Sequence, residues 1–257
     1  MLHFQIHGDA TNTPPLLIVH GLYGSGRNWG VIAKRLSDAR QVITVDQRNH
    51  GNSPWSDQHD YPAMASDLAQ LIDHLGAPMD VLGHSMGGKA AMALALTQPQ
   101  MVNRLIVGDI APVSYSHSQL QFIQAMRAVD LGAVTRRSDA EAQLAQQGVD
   151  PALQSFFTQS LDVPGKRWRL NLDALEANMP HILSFPAFSS RFDGPTLFLS
   201  GALSDYVTPD YRPAIKALFP KARFAKLPGA GHWLHAEKPR EFEAAIRAFL
   251  SLTAAAA

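Results

Sequence analysis

The chain has 257 residues, enough for one large domain with a sizeable buried core, and its 22 lysines and arginines balance its 22 aspartates and glutamates. That balance removes the bulk electrostatic case for nucleic acid or an anionic membrane surface as a partner. Cysteine is absent, which excludes disulfide frameworks, thiolate zinc sites and thiol nucleophiles. At the N-terminus, Met1-Leu2-His3-Phe4-Gln5 has neither the basic leader nor the apolar run of a signal peptide, and no stretch is long and apolar enough to span a bilayer. A soluble, cytoplasmic protein is expected.

Leu16-Leu17-Ile18-Val19 is the first buried-strand candidate, and Val42-Ile43-Thr44-Val45 the second. Met64, Leu68, Leu71, Ile72 and Leu75 then recur at helical spacing, with Pro62 suited to a first turn. Val81-Leu82, Arg104-Leu105-Ile106-Val107, Thr196-Leu197-Phe198-Leu199 and Phe224-Ala225-Lys226-Leu227 complete the strand candidates. Most are nearly continuous apolar runs, as strands covered by helices on both faces should be. Phe242, Ile246, Phe249 and Leu250 make a last helical stripe, and the run Ala254 to Ala257 has no patterned face and is expected to fray. Alternating strands and helices imply an α/β fold: a mostly parallel central sheet flanked by helices.

The rhythm breaks between about Val113 and Phe192, where no convincing strand is visible. The segment carries a helical pattern (Leu120, Ile123, Met126, Arg127) and scattered aromatics, Phe156, Phe157, Trp168, Phe185 and Phe188. It is too long for one crossover. We read residues 113–192 as a helical cap inserted into a core made of residues 1–112 and 193–257.

Gly83-His84-Ser85-Met86-Gly87 lies between the Val81-Leu82 run and a helix-like stretch, Lys89 to Leu94. A Ser flanked at −2 and +2 by glycines, on a strand-to-helix corner, reads as a nucleophile elbow: the turn is so tight that a Cβ at either flank would collide with the adjoining element. Ser85 is then the nucleophile, and it needs a base to take its proton. His232, in Pro228-Gly229-Ala230-Gly231-His232-Trp233 after the last strand candidate, is poor core material and is the expected base. The acid that orients it has two candidates. Asp205 follows the penultimate strand and is slightly favoured on spacing; Asp109 ends the strand after the elbow helix. The oxyanion needs two donors, expected from the backbone N–H groups of Met86, after the nucleophile, and Leu22, in His20-Gly21-Leu22-Tyr23-Gly24-Ser25. Asp46-Gln47-Arg48-Asn49-His50-Gly51-Asn52-Ser53 reads as a structural loop bracing that turn. His84 and His235 read as structural, and Lys89 as a surface or helix-packing lysine, with charge recognition of an acidic substrate as an alternative that nothing else in the sequence supports. Metal-ligand spacings, a complete phosphate loop and a dinucleotide fingerprint are all missing, so neither metal nor cofactor is expected.

Arg48-Asn49-His50-Gly51 and Gly83-His84-Ser85-Met86-Gly87-Gly88-Lys89 together, with Tyr61-Pro62-Ala63-Met64, Asp109-Ile110-Ala111-Pro112 and Gly229-Ala230-Gly231-His232-Trp233, carry a resemblance over nearly the whole chain. The sequence resembles the YbfF-type esterases of the α/β-hydrolase superfamily. The resemblance implies a carboxylic-ester hydrolase with a helical cap, acting on small-molecule acyl esters of short to medium chain, with acyl-CoA thioesters as a further class. It also implies Asp109 as the acid, because the family loop matching Asp205 often reads Gly-Asn-Ser-Pro; this chain departs from it by carrying Asp205. C–C bond hydrolysis or cofactor-free perhydrolysis on the same elbow is the alternative chemistry, and a non-catalytic binding protein of the same fold the more distant one.

Overall fold

A computed structural model describes residues 1–254; the end of the terminal alanine run, from Ala255, lies outside the described residues. Elements alternate along the chain: β1 (Phe4–His7), β2 (Leu16–Val19), α1 (Gly30–Leu36), β3 (Val42–Val45), α2 (Tyr61–Leu75), β4 (Met79–His84), α3 (Met86–Thr97) and β5 (Val102–Gly108). Then come α4 (Leu120–Arg127), α5 (Arg137–Gln146), α6 (Pro151–Thr158), β6 (Leu161–Asp162), β7 (Arg167–Trp168), α7 (Leu172–Ala177) and α8 (Met179–Leu183). The chain closes with β8 (Thr196–Gly201), α9 (Arg212–Leu218), β9 (Ala222–Leu227), α10 (Leu234–Glu237) and α11 (Pro239–Ala254).

Seven strands form one sheet in the order β1-β3-β2-β4-β5-β8-β9, parallel except for β1, which runs antiparallel to β3 with Phe4 opposite Val45. Every residue of β2, β3, β4 and β8 is buried, because both faces are covered. Leu16 and Ile18 point to one face, with Leu82, Ile106 and Leu197, and meet Ile32 and Leu36 of α1 and Phe242 and Ile246 of α11. Leu17 and Val19 point to the other, with Val81, Leu105 and Val107, and meet α2 and α3. Each such side chain stabilises the fold by about 1.5–3 kcal/mol relative to exposure.

Two helices show how local sequence sets the layers. α2 starts at Asp60, whose carboxylate accepts from the Ala63 N–H at 2.8 Å, takes Pro62 in its first turn, and ends at Gly76 with φ +82°. Its apolar stripe turns inward while its other face meets water. α3 has no exposed face: every residue from Met86 to Leu96 is buried, ten of them without a charge and the eleventh, Lys89, hydrogen-bonded to the Leu183 and Ser184 carbonyls.

The sequence did not predict β1. It is four residues long at the sheet edge, and Ile6 within it is half exposed, so its burial follows no periodic pattern. The β6–β7 ladder likewise corrects the expectation of no strand between 113 and 192; two residue pairs, Leu161–Trp168 and Asp162–Arg167, are too few to register as a pattern. Among the described residues no helix is long and apolar enough to cross a membrane.

The strand order positions the site. β2 and β4 lie side by side, with Val19 opposite Gly83, yet the chain leaves β2 toward β3 on one side and β4 toward β5 on the other. The loops after β2 and β4 therefore diverge and open a crevice at the carboxyl ends of the strands.

Candidate active site

Ser85 stands in that crevice, between β4 and α3. Its φ is +53° and its ψ −122°, a conformation that costs a non-glycine residue on the order of 1–3 kcal/mol. The neighbouring glycines make it attainable. A Cβ on Gly83 would lie 2.2 Å from the Gly87 carbonyl oxygen, and one on Gly87 would lie 2.3 Å from the Val19 oxygen. The turn is pinned by the Ser85 N–H donating to the Gly108 carbonyl at 2.9 Å.

The imidazole of His232 reaches the hydroxyl. Its Nε2 lies 3.1 Å from Ser85 Oγ and its Nδ1 2.8 Å from Asp109 Oδ2. Asp109 is fully buried, with φ +49°. It also accepts from the Gly201 N–H at 3.0 Å and from the Ser204 hydroxyl at 2.5 Å. A carboxylate with these partners holds the Nδ1–H tautomer, leaving Nε2 free to accept a proton from Ser85. Asp205, which spacing slightly favoured, is exposed and has no such contact; its neighbour Ser204 reaches Asp109 instead. The sequence-expected Ser85, His232 and Asp109 are thus brought together, and Asp205 is not.

Three rings lie against His232, those of Tyr206, His84 and Trp233. The Tyr206 ring stacks on it with centroids 4.1 Å apart and planes at 24°. His84 is buried, and its Nε2 donates to the His232 carbonyl at 2.8 Å, consistent with the structural role expected for it. Burial and the neighbouring His232 and His235 rings push the His84 imidazole well below its usual range, so it stays neutral. His235 is stacked at 4.0 Å on Trp29, the packing role expected. Tyr206 was not singled out in the sequence; only its position beside Asp205 pointed to it.

The turn after β2 is built from backbone and neutral histidines. The Gly24 N–H donates to the Gly21 carbonyl at 3.1 Å, and Tyr23 takes φ +64°. His20 Nδ1–H donates to the Gly21 carbonyl at 2.8 Å while its Nε2 accepts from the Gln47 N–H at 2.9 Å. His50 does the same between the Arg48 carbonyl, at 2.9 Å, and the Tyr23 N–H, at 3.2 Å. Desolvation lowers both imidazoles below their ordinary pKa, which keeps each ring in the one neutral tautomer these contacts need. Asp46 accepts from the Gly26 N–H at 2.8 Å and the Asn52 N–H at 2.9 Å. The 46–53 loop therefore braces the turn, as expected. Neither the Leu22 nor the Met86 N–H has an acceptor among the described residues.

A cavity of about 240 Å³ opens over Ser85 and His232. Helices between β5 and β8 supply Phe122, Leu153, Phe157, Ile182 and Leu183 to its wall; the core supplies Leu22, Met86 and Ile110. Lys89 also lines it, one turn along α3 from Ser85. Of the two roles expected for it, surface or helix-packing, the surface one is ruled out: only 1% of Lys89 is exposed, and its Nζ donates to the carbonyls of Leu183 at 2.9 Å and Ser184 at 2.8 Å. Desolvation brings its ammonium down to about 7. No group of three or more His, Cys, Asp or Glu side chains is arranged to hold a metal among the described residues.

Residues 14–239 match the model of the alpha/beta hydrolase fold family. The chain is 42% identical to the sn-1-specific diacylglycerol lipase ABHD11 of Mus musculus, over 96% of this chain and 83% of that protein. It is 39% identical to Esterase YbfF of Escherichia coli strain K12, over 93% of this chain and 94% of that one. A solved structure, a marine microorganism esterase, superposes with a TM-score of 0.90 at 39% identity, covering 96% and 98% of the two chains. The strand order, the elbow after β4 and these likenesses agree: the chain belongs to the α/β-hydrolase family as a YbfF-type member.

Proposed function

We propose that this protein is a serine carboxylic-ester hydrolase acting on short- to medium-chain acyl esters and on acyl thioesters, with Ser85 as nucleophile, His232 as general base and Asp109 as the acid. The observation that carries the reading is one continuous hydrogen-bonded line: Ser85 Oγ to His232 Nε2 at 3.1 Å, and His232 Nδ1 to Asp109 at 2.8 Å. Ser85 Oγ attacks the acyl carbon while His232 takes its proton. The N–H groups of Leu22 and Met86 hold the developing oxyanion. Protonated His232 returns the proton to the departing alcohol or thiol. Water, activated by the same imidazole, then cleaves the acyl-enzyme and restores the Ser85 hydroxyl. Residues 113–192 act as the cap in this reading, supported by the five apolar side chains they place in the cavity wall.

A fluorophosphonate probe tests the nucleophile. Mass spectrometry should find the adduct on Ser85 at one equivalent per chain, and Ser85→Ala should abolish both labelling and turnover of an acyl-ester panel. Stoichiometric labelling elsewhere, or an unlabelled protein that still hydrolyses the panel, would remove the reading.

A further inference from the structure

Lys89 is a buried cation that the proposed ester hydrolysis does not use. No carboxylate lines the cavity among the described residues. The rings around its Nζ belong to Tyr61 of α2, at 5.6 Å, and Tyr115 after β5, at 4.8 Å. Burial pushes both phenols upward in pKa, so neither supplies a negative charge. An ammonium carries three N–H donors. Two are engaged by the Leu183 and Ser184 carbonyls, and no acceptor for the third is found among the described residues.

The phenols of the cavity cannot substitute for it as donors to a ligand. Tyr23 donates to the Gln119 carbonyl at 2.9 Å and Tyr61 to the Ile182 carbonyl at 2.5 Å. Tyr115 donates to the Tyr206 carbonyl at 2.6 Å, and the Tyr206 hydroxyl is paired with His117 Nε2 at 2.6 Å. Among the described residues lining the cavity, which also include His117, Gln119 and Trp233, Lys89 is the only lysine, arginine, aspartate or glutamate; two of its N–H groups are engaged by carbonyls, and the third has only the Tyr61 and Tyr115 ring faces beside it. Ser85 immediately precedes α3, the Lys89 N–H donates to its carbonyl at 3.1 Å, and both residues line the same cavity.

We propose that Lys89 is a specificity-determining residue that receives a carboxylate, so that the preferred acyl groups are half-esters or half-thioesters of short dicarboxylic acids. The inference rests on the ester-hydrolase reading and names its substrate class. The scissile carbonyl sits at Ser85 and the free carboxylate on the third N–H of Lys89. Water and the half-ester yield the dicarboxylate and the free alcohol or thiol, with no further reactant. The pairing counts twice: the carboxylate meets an ammonium that is only 1% exposed, and it supplies the counter-ion that the cavity lining lacks.

The test compares p-nitrophenyl half-esters of succinate, glutarate and adipate with the same compounds methylated at the free carboxyl. The readout is the ratio of kcat/KM, half-ester over methyl ester, so that any change in the shared chemistry cancels. The wild-type protein should favour at least one half-ester by about tenfold or more at pH 6, as a charge-assisted hydrogen bond allows. The ratio should fall as pH rises through about 7, where the free enzyme's Lys89 loses its proton. Lys89→Met should bring it to one or below. If that variant does not fold, the wild-type pH profile and a calorimetric titration with free glutarate decide. A wild-type ratio at or below one across the pH range, a ratio that survives Lys89→Met, or no glutarate binding at millimolar concentration overturns the proposal. Hydrolysis of the methyl esters without half-ester preference would sink this inference alone; inactivity on every ester with Ser85 unlabelled would sink the hydrolase reading beneath it.

Discussion

Asp109 takes a left-handed backbone conformation that Asp tolerates better than most residues, and this turns its carboxylate off the end of β5 toward the neighbouring loops. There it meets donors from three parts of the chain: Gly201 at the end of β8, Ser204 in the loop after it, and His232 after β9. Removing its charge would destroy the acceptor that fixes the His232 tautomer. Asp109→Asn is expected to lower kcat by roughly 10⁴-fold, the loss seen for the equivalent change in the serine protease triad. Asp205→Asn, at an exposed side chain, should stay within about threefold, since surface changes away from such networks act weakly. Steady-state kinetics on one acyl ester, alongside a thermal melt to confirm folding, separates the two; the opposite ranking would reassign the acid. Spacing slightly favoured Asp205 and the family resemblance implied Asp109; burial and the strand ends that meet rank Asp109 first.

At the scale of elements, β4 and β5 are held in register by a buried ion pair as well as by their ladder. Asp80 on β4 lies directly beside Arg104 on β5, which donates from Nε to Oδ1 at 2.7 Å and from a terminal nitrogen to Oδ2 at 2.5 Å. Arg40, just before β3, adds a third contact at 2.6 Å. Asp80 has no exposure, so its removal leaves two guanidinium groups facing a neutral partner in a dry layer. Asp80→Asn should cost about 3–5 kcal/mol of stability, measured by urea denaturation with an unchanged slope. A loss below about 1 kcal/mol would mean the pair is solvated in solution. The pair lies at the start of β4 while Ser85 follows its end, so residual activity per folded molecule should hold.

For the whole molecule, the buried histidines set an acid limit. His20, His50, His59, His84 and His235 are all depressed, first by desolvation, with His59 and His235 each brought down to about 3. A depressed imidazole binds its proton more readily in the unfolded chain, so the native state is favoured fully above about pH 6.5 and loses that advantage as pH falls toward 3. Each of the two at about 3 would withdraw about 2 kcal/mol by pH 5. Denaturation curves at pH 7 and pH 5 should show the drop. His235→Phe, which keeps a ring against Trp29, should recover about 2 kcal/mol of it at pH 5 relative to pH 7. An identical pH dependence in the variant would remove His235 from the account.

The strands, the amphipathic helices and the glycine-flanked Ser85 were legible in the sequence because each depends on residues close in the chain: continuous apolar runs, a 3.6-residue stripe, small flanks at a tight turn. The short edge strand β1 and the two-residue ladder β6–β7 were not, since neither is long enough to carry a period. His232 could be expected from its glycine-rich loop, and the brace of residues 46–53 from its polar run after a strand. Tertiary structure alone decided among groups that meet across long chain separations. It brought Asp109, which the resemblance implied against the spacing, rather than Asp205 to His232, laid Tyr206 on the imidazole, and placed Lys89 in the cavity wall rather than on the surface. Those outcomes depend on where β5, β8 and β9 end beside one another and on the contact of Leu183 and Ser184 with α3. Neither distance is encoded by spacing along the chain.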